Sequence, residues 1–257
     1  MLQIKDKNTF FTRLYPMTKI WASLGIVMGI FLFTNYYIST IVFVLAMVAI
    51  LIEGMLKEFK VILIAGLLIG VSLFLIQGIL NPINETVVWN VIPGTDITFY
   101  KEGLIVAVNV YSRIMPLFGV LFLAIRTINM TEFGVSLNKA GLPYKVGFVL
   151  TSTFQIIPVF NREMHHIINA QKSRGLETDG NLLSRMKAFI PIMVPLISNS
   201  LMKVQNQVIA LESKGFNANI KKTHFRNPER TKYDRYIVIF SALFGFAGLI
   251  YRIMIST

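Results

Sequence analysis

Two cations occupy matching places in this 257-residue chain. One copy reads Ala170-Gln171-Lys172-Ser173-Arg174-Gly175-Leu176, and the other reads Ala210-Leu211-Glu212-Ser213-Lys214-Gly215-Phe216. Both share Ala, two residues, Ser, a cation, Gly and an apolar residue. A Gly just past a helix end takes the left-handed conformation, and a following apolar residue completes a Schellman cap. A cation in the last turn suits the negative end of the helix dipole, by roughly 0.3–1 kcal/mol. Each copy alone is an ordinary helix end. Two copies, each closing a long helix, hold a cation at a rigid tip that can enter a groove on a partner. Arg174 can offer a fork of hydrogen bonds to carboxylates or backbone carbonyls, whereas Lys214 keeps the charge without the fork.

Other chemistry is sparse. No cysteine is present, which excludes disulfides, thiol nucleophiles and thiolate metal sites. The histidines are His165, His166 and His224. Adjacent helical histidines diverge by about 100° and do not form the i, i+4 metal pair, so no metal or cofactor is expected. No Gly-x-x-x-x-Gly-Lys-[Ser/Thr] loop occurs, so the chain does not hydrolyse ATP by that route. No catalytic Ser-His-Asp or paired-carboxylate arrangement stands out. Arg113 lies inside an apolar run, beside Tyr111-Ser112 and Met115-Pro116. An intramembrane cation is read first as a structural pairing with a polar neighbour, with an intramembrane polar transport site as the alternative. Glu53 and Glu58 are expected at a solvated inner interface.

The elements that position these residues belong to a membrane protein. Hydrophobic residues make up 54% of the chain and charged residues 15%, against about 25% charged in soluble domains; mean hydropathy is +0.61. No nucleic-acid-binding module is visible, so the net charge of +12 points to a membrane face and anionic lipid. Five runs approach the ~20 residues a spanning helix needs: about 20–33, 38–52, 61–80, 104–125 and 236–255. The first is read as a retained helix, since no small-residue cleavage site follows it. Trp21, Tyr36 and Tyr37 flank the two short runs and suit the headgroup zone. The loop 81–101 carries the turn signals Asn81-Pro82-Ile83-Asn84 and Ile92-Pro93-Gly94-Thr95-Asp96.

Sixteen of the 25 Lys and Arg lie between Arg126 and Arg235. The short loops alone agree on orientation, since Lys5, Lys7, Arg13, Lys19, Lys57 and Lys60 fall on one side and Lys101 on the other. The positive-inside rule therefore places the N-terminus and residues 126–235 in the cytoplasm. Three regions follow: 1–125 with spans one to four, 126–235 as a cytoplasmic segment, and 236–257 with the last span.

Residues 126–235 are amphipathic. The pattern predicts helices over about Tyr144–Arg174 and Leu182–Lys214. The first carries Ile157, Phe160, Met164, Ile167 and Gln171 at helical spacing, opposite Arg162, Glu163, His166 and Lys172. The second carries Ile197, Leu201, Val204, Val208 and Leu211, a stripe suited to packing against another helix. Their upstream halves, 146–159 and 188–201, are apolar for only about fourteen residues, short of a comfortable span, and Pro158, Pro191 and Pro195 are expected to interrupt them. Five spans are expected, with seven as the alternative, in an all-α integral membrane protein.

The paired tips resemble the two Ala-Arg-Gly signatures that end the coupling helices of the T component of ECF-type (energy-coupling factor) ABC importers, a membrane family that includes the cobalt-transport protein CbiQ. Tyr15-Pro16-Met17-Thr18-Lys19-Ile20 is similar to that family's Asp-Pro-Arg-Thr-Lys-Leu lead-in to the first span. Ala140-Gly141-Leu142-Pro143 and Phe154-Gln155-Ile156-Ile157-Pro158 resemble the stretch before the first coupling helix, so the likeness covers roughly residues 13–217. The departures are Ser for Ala in both signatures, Lys214 for Arg, and loss of the lead-in Asp and Arg. The resemblance implies a non-catalytic, multi-pass subunit of a bacterial cell membrane. Its expected partners are two cytoplasmic ABC ATPase subunits and a membrane substrate-binding S component. Ser173, Arg174, Gly175, Ser213, Lys214 and Gly215 would dock in the ATPases, whose closure would reorient the S component and release a vitamin-like nutrient or metal ion. A self-sufficient secondary transporter is the competing reading. It would need a midplane site in repeated halves, and spans one to four show few polar residues and no inverted repeat.

Overall fold

The computed structural model describes residues 9–81, 86–90, 98–177, 180–218, 220 and 228–256. The elements run α1 (Phe10–Arg13), α2 (Pro16–Leu32), α3 (Tyr36–Ile52), α4 (Leu56–Leu80), β1 (Val87–Asn90), β2 (Thr98–Tyr100), α5 (Lys101–Thr127), α6 (Met130–Lys139), α7 (Tyr144–Ser173), α8 (Leu182–Ser213) and α9 (Lys232–Ser256). The chain forms two compact units, residues 1–129 with 228–257, and residues 130–227.

The first unit is a helix bundle built on small residues. Lipid gives helices no hydrophobic reason to associate, so close backbone approach and packing must supply it. Gly25 and Gly29 of α2 are four apart, and α9 presses on both. A Cβ on Gly25 would lie 2.7 Å from the Ser241 carbonyl oxygen, and one on Gly245 would lie 3.1 Å from that of Gly25. Gly66 and Gly70 of α4 repeat the device and receive Met115 and Tyr111 of α5. Gly119 of α5 faces Ala46 of α3. Outward positions are large and apolar, as at Val61 (70% exposed) and Phe240 (71%), which is the surface lipid requires.

The protein is an all-α integral membrane protein. By length and composition α4, α5, α8 and α9 can cross a bilayer, while α2 and α3 are shorter apolar helices of 17 residues, at the lower limit for a span. α8, whose upstream half the sequence leaves open between the interface, the underside of the bundle and a hairpin into the bilayer, is thus among the candidate spans, at the lowest hydropathy of the four. The loop read only as turns also contains a strand pair. β1 and β2 are antiparallel with Val87 opposite Tyr100, and Thr86 donates to the Glu102 carboxylate. The turn residues Pro82–Asn84 and Pro93–Asp96 lie outside the described residues.

One expectation is overturned here. Glu53 is fully buried, not solvated. Its carboxylate accepts from the Thr9 hydroxyl and from the Phe11 N–H at 3.1 Å. The N-terminal segment folds back over it, and that distant contact is invisible in the local sequence. Glu58 is half exposed and pairs with Arg126.

The second unit contains α6, α7 and α8. Helix α6 was not anticipated. It packs on α7 where Gly134 admits Thr151 and Gly147 admits Asn138.

Candidate functional site

Helices α7 and α8 end in the same hydrogen-bond pattern. At the first tip the Gly175 N–H donates to Lys172 O (2.9 Å) and the Leu176 N–H to Gln171 O (3.0 Å). At the second, the Gly215 N–H donates to Glu212 O (2.9 Å) and the Phe216 N–H to Leu211 O (3.0 Å). These are two complete Schellman motifs. Gly175 has φ +86° and Gly215 φ +68°, which side chains with a Cβ resist. Nothing lies within 4 Å of a Cβ built on Gly175, so backbone conformation, and not space, demands glycine there. Ser173 donates back to Asn169 O (3.1 Å) and Ser213 to Ala210 O (3.0 Å), so each hydroxyl is bonded to its own helix.

Arg174 and Lys214 occupy the C-cap positions with nearly equal backbone angles, φ −89°, ψ 9° and φ −85°, ψ 6°. Both are exposed. Among the described residues neither makes an ion pair or side-chain hydrogen bond.

The helices that carry them touch in antiparallel order. Gln171 Nε2 donates to Pro191 O (3.2 Å), Asn199 Nδ2 donates to Glu163 Oε1 (3.0 Å), and the Phe216 ring packs on Phe148 at 4.7 Å. As the α7 number falls, the α8 number rises, so the two tips point to opposite ends of the pair. Twenty-three helical residues separate the level of Gln171 from Lys214, roughly 35 Å at 1.5 Å per residue. The Gln171 bond has a specific cause. Pro195 has no N–H to give the carbonyl four residues back, which leaves Pro191 O open, and the amide of Gln171 satisfies it. Pro158, Pro191 and Pro195 therefore lie within continuous helices and do not break them.

Two details differ from expectation. Glu163, assigned to the polar face of α7, is half-buried and bonded to α8. Four members of the α8 stripe, Ile197, Leu201, Val204 and Val208, are exposed, and Leu211 is half-buried. The contact with α7 falls on other positions, such as Asn199.

Arg113 is half-buried on α5, and among the described residues it has no hydrogen bond or ion pair. It belongs to the first unit, and the tip residues belong to the second. His165 and His166 are exposed on α7, and His224 lies outside the described residues. Sequence reasoning missed Lys19 and Asp234, which are 7% and 2% exposed and bind distant backbone. The lead-in motif around Lys19 was the available signal.

A family model described as "Cobalt transport protein", CbiQ, matches residues 7–225. Three curated relatives are called energy-coupling factor transporter transmembrane protein EcfT. That of Staphylococcus aureus is 30% identical over 49% of this chain and 48% of its own length. That of Leuconostoc gelidum subsp. gasicomitatum is 29% identical over 68% and 72%. That of Lactococcus lactis subsp. cremoris is 31% identical over 54% and 55%. The chain thus spans about half the length of two of these relatives and nearly three quarters of the third.

Proposed function

Because this chain belongs to the CbiQ cobalt transport protein family, we propose that it is the transmembrane T component of an energy-coupling factor importer. It links two cytoplasmic ABC ATPases to a membrane S component that binds a vitamin-like nutrient or a metal ion. In this reading the N-terminus and residues 126–235 are cytoplasmic, and the chain itself catalyses nothing. Arg174 docks in one ATPase and Lys214 in the other. The observation that supports the reading is the pair of matching, exposed cationic caps at opposite ends of α7 and α8. Two tips roughly 35 Å apart suit two separate sockets better than one. Closure of the ATPases pushes the tips, and α7 and α8 carry the displacement to the S component, for which the exposed apolar stripe of α8 is a ready surface.

The test is co-purification and uptake with both tips reversed. Arg174→Glu with Lys214→Glu replaces two attractions by two repulsions. Loss of charge-assisted bonds at both tips predicts about a thousandfold drop in ATPase retention, the two distant tips contributing additively, with membrane insertion unchanged. Normal uptake in the double variant sinks the assignment.

A further inference from the structure

The chain passes between its two units twice, after Thr127 at the end of α5 and again before α9 at Pro228–Asp234. Both passages are tied to one short segment, Thr9–Lys19. At the first, the buried Lys19 ammonium donates to Thr127 O at 2.6 Å and also to Thr12 O at 3.2 Å. It thereby places a cation on the negative end of α5. Only Ile128 and Asn129 separate that point from α6. At the second, Asp234 Oδ1 accepts from the Tyr15 N–H (3.0 Å) and Oδ2 from the Thr231 N–H (2.6 Å), so one carboxylate caps α9 and holds the segment. Arg230 stacks over the Tyr15 ring at 5.1 Å. The start of the segment is anchored in turn to the end of α3 through Glu53. Three buried charged side chains, Lys19, Glu53 and Asp234, thus each bond backbone or hydroxyl groups, and they join parts of the first unit that are distant in sequence. Burying charge is costly unless fully bonded, and this placement concentrates the strong bonds where the chain changes unit.

We propose that Thr9–Lys19 is a strap that fixes both passages, with Lys19 and Asp234 as positioning residues that make displacement of the second unit felt by the membrane helices. The proposal rests on the T-component reading. A strap that yields would let the ATPases cycle without moving substrate.

The test uses the whole importer, co-expressed with its ATPases and S component and reconstituted in proteoliposomes. It reads substrate moved per ATP hydrolysed. Lys19→Met keeps the length of the side chain but loses both bonds; the ratio should fall by about fivefold or more, while complex yield and ATP hydrolysis stay near wild type. Lys19→Arg, which keeps a donor cation, should recover most of the ratio. Arg230 is exposed, so Arg230→Ala tests the second passage without removing a buried group, and should lower the ratio by about twofold. If Lys19→Met fails to accumulate, Arg230→Ala decides. An unchanged ratio in the variants, or hydrolysis and transport falling together, overturns the strap. Failure of the unaltered chain to assemble with ATPases instead overturns the T-component reading.

Discussion

The two tips share a backbone and differ in what steadies them. Arg174 lies three residues past Gln171, whose amide is bonded to the carbonyl that Pro195 leaves open on α8. Lys214 lies two residues before Phe216, which packs on Tyr144 and Phe148 at the start of α7. One tip is fixed to the opposite helix by a polar bond, the other by aromatic packing. The cations differ in the same sense, a directional fork at the first and a point charge at the second. The lesson is that the repeated cap sets only where each cation sits. How firmly it is held, and how specifically it binds, is decided outside the repeat.

Reversing each charge alone gives the largest separation between the tips. Arg174→Glu removes a fork and adds repulsion, and should cut ATPase retention by about a hundredfold. Lys214→Glu removes a point charge and should cut it by about tenfold. Pull-down of the ATPases against tagged membrane protein measures both. Equal losses would mean that the two sockets read charge only, and the comparison of side chains would collapse.

The tethers should also respond separately. Phe216→Ala removes two ring contacts worth about 0.5–1.5 kcal/mol each beyond area, and should lower the thermal stability of the detergent-solubilised protein. Gln171→Leu leaves Pro191 O without its partner and should cost about 1–3 kcal/mol. Limited proteolysis gives the sharper reading. Phe216→Ala should open cleavage near Lys214 alone, and Gln171→Leu near Arg174 alone. Cleavage at both tips in either variant would show that α7 and α8 behave as one rigid piece.

These contrasts mark what the sequence allowed and what it hid. The ends of α7 and α8 were readable within one residue, because Gly175 and Gly215 announce the cap and the helical periodicity runs up to them. Both the cap signal and the periodicity are local. The tethers are not. Nothing near Gln171 says that a proline 24 residues later frees a carbonyl for it, and the Tyr15–Asp234 bond joins residues 219 apart. Glu53 was misread for the same reason, since Thr9 and Phe11 arrive from 44 and 42 residues away. Helix α6 was passed over because its ten residues, Met130–Lys139, carry too short a pattern. The bundle contacts were more accessible, since Gly25-x-x-x-Gly29 and Gly66-x-x-x-Gly70 are visible spacings with a known packing consequence.

The glycines themselves should behave alike. Gly175→Ala and Gly215→Ala each force a Cβ into the left-handed region, at about 1 kcal/mol, and neither meets a close neighbour, the nearest being Ala218 at 3.8 Å from Gly215. Equal, small drops in ATPase retention are expected from both. A much larger loss at one tip would show that its glycine touches the partner directly, since the cap alone predicts parity.

The smallest expected effect is the most discriminating about the side chains. Lys214→Arg restores a fork to a tip whose backbone, at φ −85° and ψ 6°, already matches that of Arg174. If the second socket presents carboxylate or carbonyl groups in a plane, the fork should raise ATPase retention by about twofold, because its donors are pre-organised. If the socket has adapted to a compact ammonium, the wider guanidinium should lower retention slightly, while Arg174→Lys still weakens the first tip. The sign of the Lys214→Arg change therefore separates two kinds of asymmetry. A gain places the difference in the tip alone, and a loss places it in the pair of surfaces, with the two ATPase sockets no longer equivalent.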